Sequence, residues 1–445
     1  METRTIYWAV PGHVWLYVPA AVAVIVFAYG MWRRLRLIRG GSRGLPFSSV
    51  TPRRAWDFVK DALFQRRFWT DHYAGLMHLL ILWGMLVLAF GTFVVFLQAD
   101  LGLPVFRGGF YLWLSLFLDA LGVAAIVGVV MAIVRRYILR PSKLDNRGDD
   151  AWVLSGLLLV LVMGFCLEGM RMAAVPDEWR AWSPVGWVVS LAFEGASTKS
   201  LESAYVVLWW VHLLNACALI AYIPFSKLVH IVTAPLNQAL SAEDRPTGGL
   251  VPIDFTDETV EVYGIASTAQ LGHSDRLALE ACTRCGRCQD VCPAHISGKR
   301  LTPKRVALDL REWVEGFELR WGLAKRAQSR VDDDGSDTEA APPGIREADI
   351  DDDVIWACTT CGACAKACPV YIKHPPLLVE LRQFLVMTEG AIPSEAQLAL
   401  RNIETNYNPW GIGWAERESW AVNRGVSVAS ESSEDVLTSG EEGQT

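Results

Sequence analysis

The sequence predicts an α-helical membrane protein: five helices that cross a bilayer, followed by a mainly α polar domain organised by cysteines. Three observations carry that prediction. Nearly all the apolar excess lies before about residue 235, and five windows there are long enough to cross hydrocarbon. Eight of the ten cysteines fall in two identically spaced runs further along the chain.

A transmembrane helix needs about 20 apolar residues. The windows at about 14–32, 73–97, 110–134, 152–172 and 203–225 qualify, and they define a membrane domain over residues 1–240. Soluble buried helices are rarely this long and this free of charge. Trp8, Trp15, Trp32, Tyr111, Trp113, Trp152, Trp209 and Trp210 crowd the span ends, as interfacial belts do.

Lysine and arginine in the short loops set the direction. Arg33, Arg34, Arg36, Arg39, Arg43, Arg53, Arg54, Lys60, Arg66 and Arg67 fill the first loop, and Arg135, Arg136, Arg140, Lys143 and Arg147 follow span three. The opposite loops hold only Arg107, Arg180 and Lys199. A multi-pass protein of the cell membrane is expected, with its N-terminus outside and its polar half cytoplasmic. No basic n-region or small-residue cleavage site marks a signal peptide. The outer connection 173–202, rich in tryptophan, reads as a re-entrant or interfacial segment.

Composition excludes some functions. The net charge of -7 averages two unlike halves, and the basic residues flank apolar spans, so nucleic-acid binding has no support. A disulfide framework belongs to small secreted domains, which this is not. Cys166 and Cys217, inside apolar spans, read as small buried apolar side chains.

Ligating residues inside a span are costly and point to function. His72 and His78 open span two; His212 and His230 lie on span five and its cytoplasmic extension. Imidazoles on facing helices ligate haem iron axially. As one continuous helix, the 18 residues from His212 to His230 make five turns, a shared face and about 27 Å of rise, suiting two haems stacked across a bilayer. His72 and His78 are only about 9 Å and 240° apart, so both cannot match that pair without a tilt or break. The expectation is one or two haems b, with His72, beside Asp71, the weaker ligand. Glu168 and Arg171, at i and i+3 near the outer end of span four, read either as an ion pair or as a proton-handling site beside a quinone. Asp119 is a further buried charge with no sequence-near partner.

Residues 241–425 form the second domain. Its cysteine runs, Cys282, Cys285, Cys288, Cys292 and Cys358, Cys361, Cys364, Cys368, are each spaced C-x2-C-x2-C-x3-C-P. Each run's first three cysteines wrap one cubane, and in two-cluster ferredoxins the fourth reaches the other cluster. The expected ligand sets are Cys282, Cys285, Cys288 and Cys368, and Cys358, Cys361, Cys364 and Cys292, holding two [4Fe–4S] clusters. Zinc sites favour separated cysteine pairs instead. Gly286 and Gly362 follow the second cysteine of each run, where a tight wrap favours unusual dihedrals. The stretch from Pro303 to Gln328 reads as a helix, 331–353 as an exposed acidic loop, and 426–445 as a disordered acidic tail.

Residues 72–240 resemble the five-helix cytochrome b of the respiratory nitrate reductase gamma type, on "GLMHLLILWGMLVLAFGT", "RRYILRPSKLDNRGDD", "GFCLEGMR" and "WWVHLLNACALIAYIPFSKLVHIVTAPLN". Residues 250–420 resemble the ferredoxin portion of heterodisulfide-reductase-related iron–sulfur proteins, on "ACTRCGRCQDVCPAHISGKRLTPKRVALDLR" and "NIETNYNPWGIGWAERESW". The join is similar to membrane iron–sulfur reductases that link menaquinone to electron transfer flavoprotein or to a heterodisulfide-type reductase, and to the membrane subunit of sulfite-reduction-associated complexes. The resemblance implies haem ligation by His78, His212 and His230, with His72 a looser match. Larger members continue into cysteine-rich CCG domains. This sequence has no CCG, so the resemblance places any thiol or disulfide chemistry on a partner protein.

The expected function is electron transfer between a membrane quinone, through haem b, and a cytoplasmic partner, through two clusters, within a multi-subunit complex. The partner expected is a CCG-domain reductase or electron transfer flavoprotein. The alternative is a haem-free polytopic ferredoxin acting as an accessory or maturation protein.

Overall fold

The computed structural model of the chain describes residues 3–40, 52–175, 177–240, 262–328 and 344–413, with scattered positions between and beyond these up to 425. Among the described residues five helices are long and apolar enough to cross a membrane: His13–Arg39, His72–Ala99, Gly108–Leu139, Gly148–Ala174 and Thr198–Phe225. No named strand occurs among them; the polar half is helices and turns, with one bridge between Ser267 and Gly344. The fold class is the one the apolar windows and cysteine spacing predict. The tail 426–445 and the first part of the acidic loop lie outside the described residues.

Spans two to five pack in sequence order, and span one packs on span five. Small residues allow the closest approach, as bilayer helices require. A methyl group on Gly84 would come within 2.6 Å of the Leu121 carbonyl, and one on Gly128 within 2.9 Å of the Met77 carbonyl. Spans two and three therefore meet backbone to backbone.

Span five does not continue as one helix to His230. Its α-helix ends at Tyr222, and Ile223–Phe225 forms a 3-10 turn containing Pro224. Proline lacks the N–H the next turn needs and crowds the residue before it. Ser226 is extended, its hydroxyl accepts from the Leu228 N–H at 3.1 Å, and a new helix runs His230–Leu240. The shared face expected for His212 and His230 is thus lost at Pro224.

The outer connection folds back as a short helix, Pro184–Leu191, against span four. Asp119 holds its start: the carboxylate, 2% exposed, accepts from the Val185 N–H at 2.8 Å and the Gly186 N–H at 3.0 Å. The partner that Asp119 lacks in sequence is supplied in space, and its role is to satisfy a helix start.

The polar half sits against the end of the bundle where the arginine-rich loops emerge. Leu37 of span one is buried in the same apolar core as Ile265, Leu279, Leu310, Leu378 and Leu381. Ala234 of the His230–Leu240 helix packs with Ala278, Ala281 and Val370. The predicted helix Pro303–Gln328 is present. Part of the stretch read as an exposed loop is core instead: Ile345, Ala348 and Ile350 are buried, and the Ile345 N–H donates to the Ala266 carbonyl at 2.7 Å. Its acidic residues masked apolar anchors spaced among them.

Ion pairs fasten the junction. Glu280, 3% exposed, accepts from Arg34 of span one at 3.2 Å and pairs with Arg311 at 3.4 Å; Glu315 binds both arginines. Lys304 reaches back to Asp145 and to the Lys143 carbonyl, each at 3.0 Å. Removing one member of a buried network leaves an uncompensated charge, costing about 3–5 kcal/mol, whereas apolar replacement of a whole pair is near neutral. Glu280→Ala should therefore lower the thermal midpoint of the detergent-solubilised protein, and Glu280→Met with Arg34→Met should recover most of the loss, as followed by circular dichroism.

Candidate redox centre

The two cysteine runs adopt one backbone twice. Arg284 and Thr360 have φ of 58° and 55°, and Gly286 and Gly362 both have φ of 75°. The fourth cysteines match as well, with φ and ψ of -80° and 115° at Cys292 and -73° and 118° at Cys368. Gly286 needs its missing side chain for a further reason: a methyl group there would lie 2.6 Å from the Lys143 carbonyl. The first cysteine loop is pressed onto the membrane domain.

The wrap brings the fourth cysteine of each run beside the first three of the other. Cys282, Cys285, Cys288 and Cys368 line one cavity together with Lys304 and His374. Cys292, from the first run, lies with Cys358, Cys361 and Cys364. Burial pushes the Cys288 thiol up, reinforced by Cys368, Cys285 and Cys282 around it. Burial likewise pushes Cys368 and Cys364 up to about 12. A ring of crowded, desolvated thiols is poor at holding its own negative charge, and a cationic metal–sulfide core supplies the compensation. Backbone N–H groups support the sulfurs: Ile372 donates to Cys368 Sγ at 3.4 Å and Thr360 to Cys358 Sγ at 3.3 Å. Four thiols in each set are the donor set that a cubane takes. The first faces the membrane domain, whereas Cys361 of the second is exposed. Cys166 and Cys217 belong to neither ring and are only half-buried on the membrane helices.

The histidines divide. His78 and His230 face each other with ring centres 6.1 Å apart and planes at 55°. Two imidazoles bound to one metal ion at about 2 Å per bond put their ring centres roughly 6 Å apart. The His230 Nδ1–H donates to the Lys227 carbonyl at 2.6 Å, which leaves Nε2 free as a ligand. Gln65 holds the other ring, with its amide nitrogen 2.7 Å from His78 Nδ1. The ends of an amide are interchangeable in shape. With the Gln65 oxygen, which has no partner, turned to the ring, His78 donates Nδ1–H and frees its own Nε2. This pair fits a bis-imidazole haem.

His72 and His212 stand outside this facing pair. His72 is exposed at the start of span two, beyond His78 and away from the bilayer centre. His212 lies within the unbroken part of span five, ten residues or about 15 Å before that helix ends at Tyr222. A methyl group on Gly164 of span four would sit 3.7 Å from its ring, and its Nδ1 has no partner. Glu168 and Arg171 also separate: Glu168 pairs with Arg4 at 3.5 Å, and Arg171 with Asp177 at 3.1 Å. Both lie about 30 Å along span four from its Arg147 end, remote from the facing histidines.

Four contributors were not legible in the sequence. Phe68 stacks on His78 with ring centres 4.9 Å apart and planes at 23°. Arg287, buried between Cys285 and Cys288 in sequence, lies 5.0 Å over the Phe68 ring. Its guanidinium donates to the Arg67 carbonyl at 3.2 Å, the Phe68 carbonyl at 3.0 Å and the Thr70 hydroxyl at 2.7 Å. Gln65 and His374 complete the group. The position of Arg287 inside a cysteine run was the one available signal; the other three carry none.

Known proteins match this arrangement in pieces. Residues 70–242 match the nitrate reductase gamma subunit family, and residues 274–369 match the 4Fe-4S dicluster domain. The chain is similar to an EtfAB:quinone oxidoreductase of Syntrophomonas wolfei, 33% identical over 93% of this chain and 60% of that protein. It is also similar to a probable iron-sulfur-binding oxidoreductase of Bacillus subtilis, 30% identical over 90% of this chain and 59% of that one. One subunit of the dihydromethanophenazine:CoB–CoM heterodisulfide reductase of Methanosarcina thermophila is 28% identical over 49% of this chain and 87% of its own length. The chain thus spans about 60% of the length of the first two relatives. No solved structure matches it at a significant level. The chain thus joins a segment similar to the nitrate reductase gamma subunit to a segment similar to a 4Fe-4S dicluster domain.

Proposed function

We propose that this chain passes electrons between a membrane quinone, menaquinone being the expected one, and a soluble redox partner. In this reading His78 and His230 hold a single haem b, and the two cysteine rings hold [4Fe–4S] clusters. The facing histidine pair beside Phe68 and Arg287 is the observation that carries it, because it sits against the cysteine ring nearest the membrane. When bound, haem and clusters supply carriers that take up one electron each.

The protein's own residues do the rest. Lys227 and Gln65 fix the imidazole orientations, and Phe68 closes one side of the His78 ring. Arg287 clamps the turn at residues 67–70 to the first cysteine loop, so the membrane site and that loop keep one spacing. Cys361 marks the face where a soluble partner meets the second ring. The names of the Syntrophomonas wolfei and Methanosarcina relatives support an electron transfer flavoprotein or a heterodisulfide-type reductase as that partner, in a multi-subunit complex. The arginine-rich loops lie on the same side as the ferredoxin domain, which favours a cytoplasmic position for residues 241–425 and an outer N-terminus.

The histidine assignment has a direct test in the visible spectrum of the reduced protein. His78→Ala and His230→Ala should lose the b-haem α-band, while His72→Ala and His212→Ala should keep it. Loss of the band in His212→Ala would overturn the single pair. Arg287→Leu should retain the haem and cluster spectra. It should slow quinol-driven reduction of the iron–sulfur absorbance in stopped-flow, because the turn at residues 67–70 and the first cysteine loop lose their clamp.

A further inference from the structure

His374 has no place in the function so far, yet its surroundings are specific. It begins the helix His374–Met387 and is 2% exposed. It lines the same cavity as Cys282, Cys285, Cys288 and Cys368, and neither of its ring nitrogens has a hydrogen-bond partner. A buried imidazole with both nitrogens unpaired is costly, because each loses water and gains nothing. Such a group in a native interior calls for an explanation, and the cavity it lines is the space that the first cysteine ring encloses.

The helix start narrows what the side chain offers. Residues 375 and 376 are prolines, so two of the first N–H groups that a helix would aim at a neighbouring anion are missing. Burial pushes the imidazole pKa down to about 4, with the Ile372 backbone only partly opposing. A neutral ring still carries one N–H.

We infer that His374 donates a hydrogen bond to a sulfur of the cluster bound by Cys282, Cys285, Cys288 and Cys368, raising its reduction potential above that of the same cluster without the donor. Hydrogen bonds to cluster sulfurs are among the determinants of potential, since they stabilise the more negative reduced state. No counterpart appears at the second ring, where the residue six positions after the fourth cysteine is Gly298. The two runs share a backbone, and His374 distinguishes their environments. This role rests on the cubane assignment above.

The test is an EPR-monitored redox titration of the purified full-length protein in detergent, for wild type, His374→Leu and His374→Gln. The expected result is a downward shift of one cluster's midpoint in His374→Leu, no change in the other, and a smaller shift in His374→Gln, which keeps an N–H donor. Unchanged midpoints, or equal shifts of both clusters, overturn the inference. A second measurement covers a leucine variant that does not assemble. Wild type labelled with 15N only at histidine should show weak 15N coupling to one reduced cluster in pulsed EPR, absent from His374→Gln. Lack of that coupling in wild type overturns the proposal as well. If wild type shows no [4Fe–4S] signal at all, the cubane assignment itself fails, an outcome distinct from both.

Discussion

The arrangement of the redox centre depends on one buried guanidinium. Arg287 comes from the first cysteine run, yet each of its protein partners named above belongs to the turn before span two: two carbonyls, a hydroxyl and the face of Phe68. That turn also carries the residue stacked on His78. The planar, permanently charged fork of arginine suits such a site, since it donates to several carbonyls and stacks on a ring at once. Arg67 works in the opposite direction, donating to the Cys368 carbonyl at 3.1 Å and lying 3.9 Å over the Tyr371 ring. Tyr371 in turn donates its hydroxyl to the buried Asp61. Two exchanged arginines thus bind the histidine site and the first thiol ring into one rigid unit.

The same constraint explains the asymmetry between two cysteine runs of equal backbone. Gly286 lets the first run meet the Lys143 carbonyl, and Leu37 and Ala234 bring membrane helices into the ferredoxin cores. The second run points away, and Cys361 reaches the surface. In the proposed ligand sets each ring takes one cysteine from the other run, which ties the two together. The order from membrane to surface is therefore facing histidines, first ring, second ring.

Much of this was legible in the sequence, for local reasons. Hydrophobic length gave the spans, since the bilayer imposes it residue by residue, and cysteine spacing gave the rings, since the wrap is a short-range property. The histidine pattern was legible only in part. Counting turns from His212 to His230 assumed one helix, but Pro224 divides it, so His230 meets His78 from a separate helix. Asp119 has no partner near it in sequence, and the fold supplies one by bringing the start of the Pro184–Leu191 helix to it. Glu168 and Arg171, neighbours on a helix, found different partners: Arg4 near the N-terminus for the first, and Asp177 just beyond the helix for the second. Ile345 and Ile350 were hidden by surrounding acids. Gln65, Phe68 and His374 act through contacts that no spacing rule encodes.

The central claim is that one chain combines a single histidine-bound haem with two cysteine-bound cubanes. Its most direct test is chemical quantitation of the anaerobically purified protein: iron, acid-labile sulfide and extractable protohaem per chain. Two cubanes and one bis-imidazole site predict about nine iron atoms, about eight sulfides and about one haem. Absence of haem, two haems per chain, or zinc in place of iron and sulfide would contradict it.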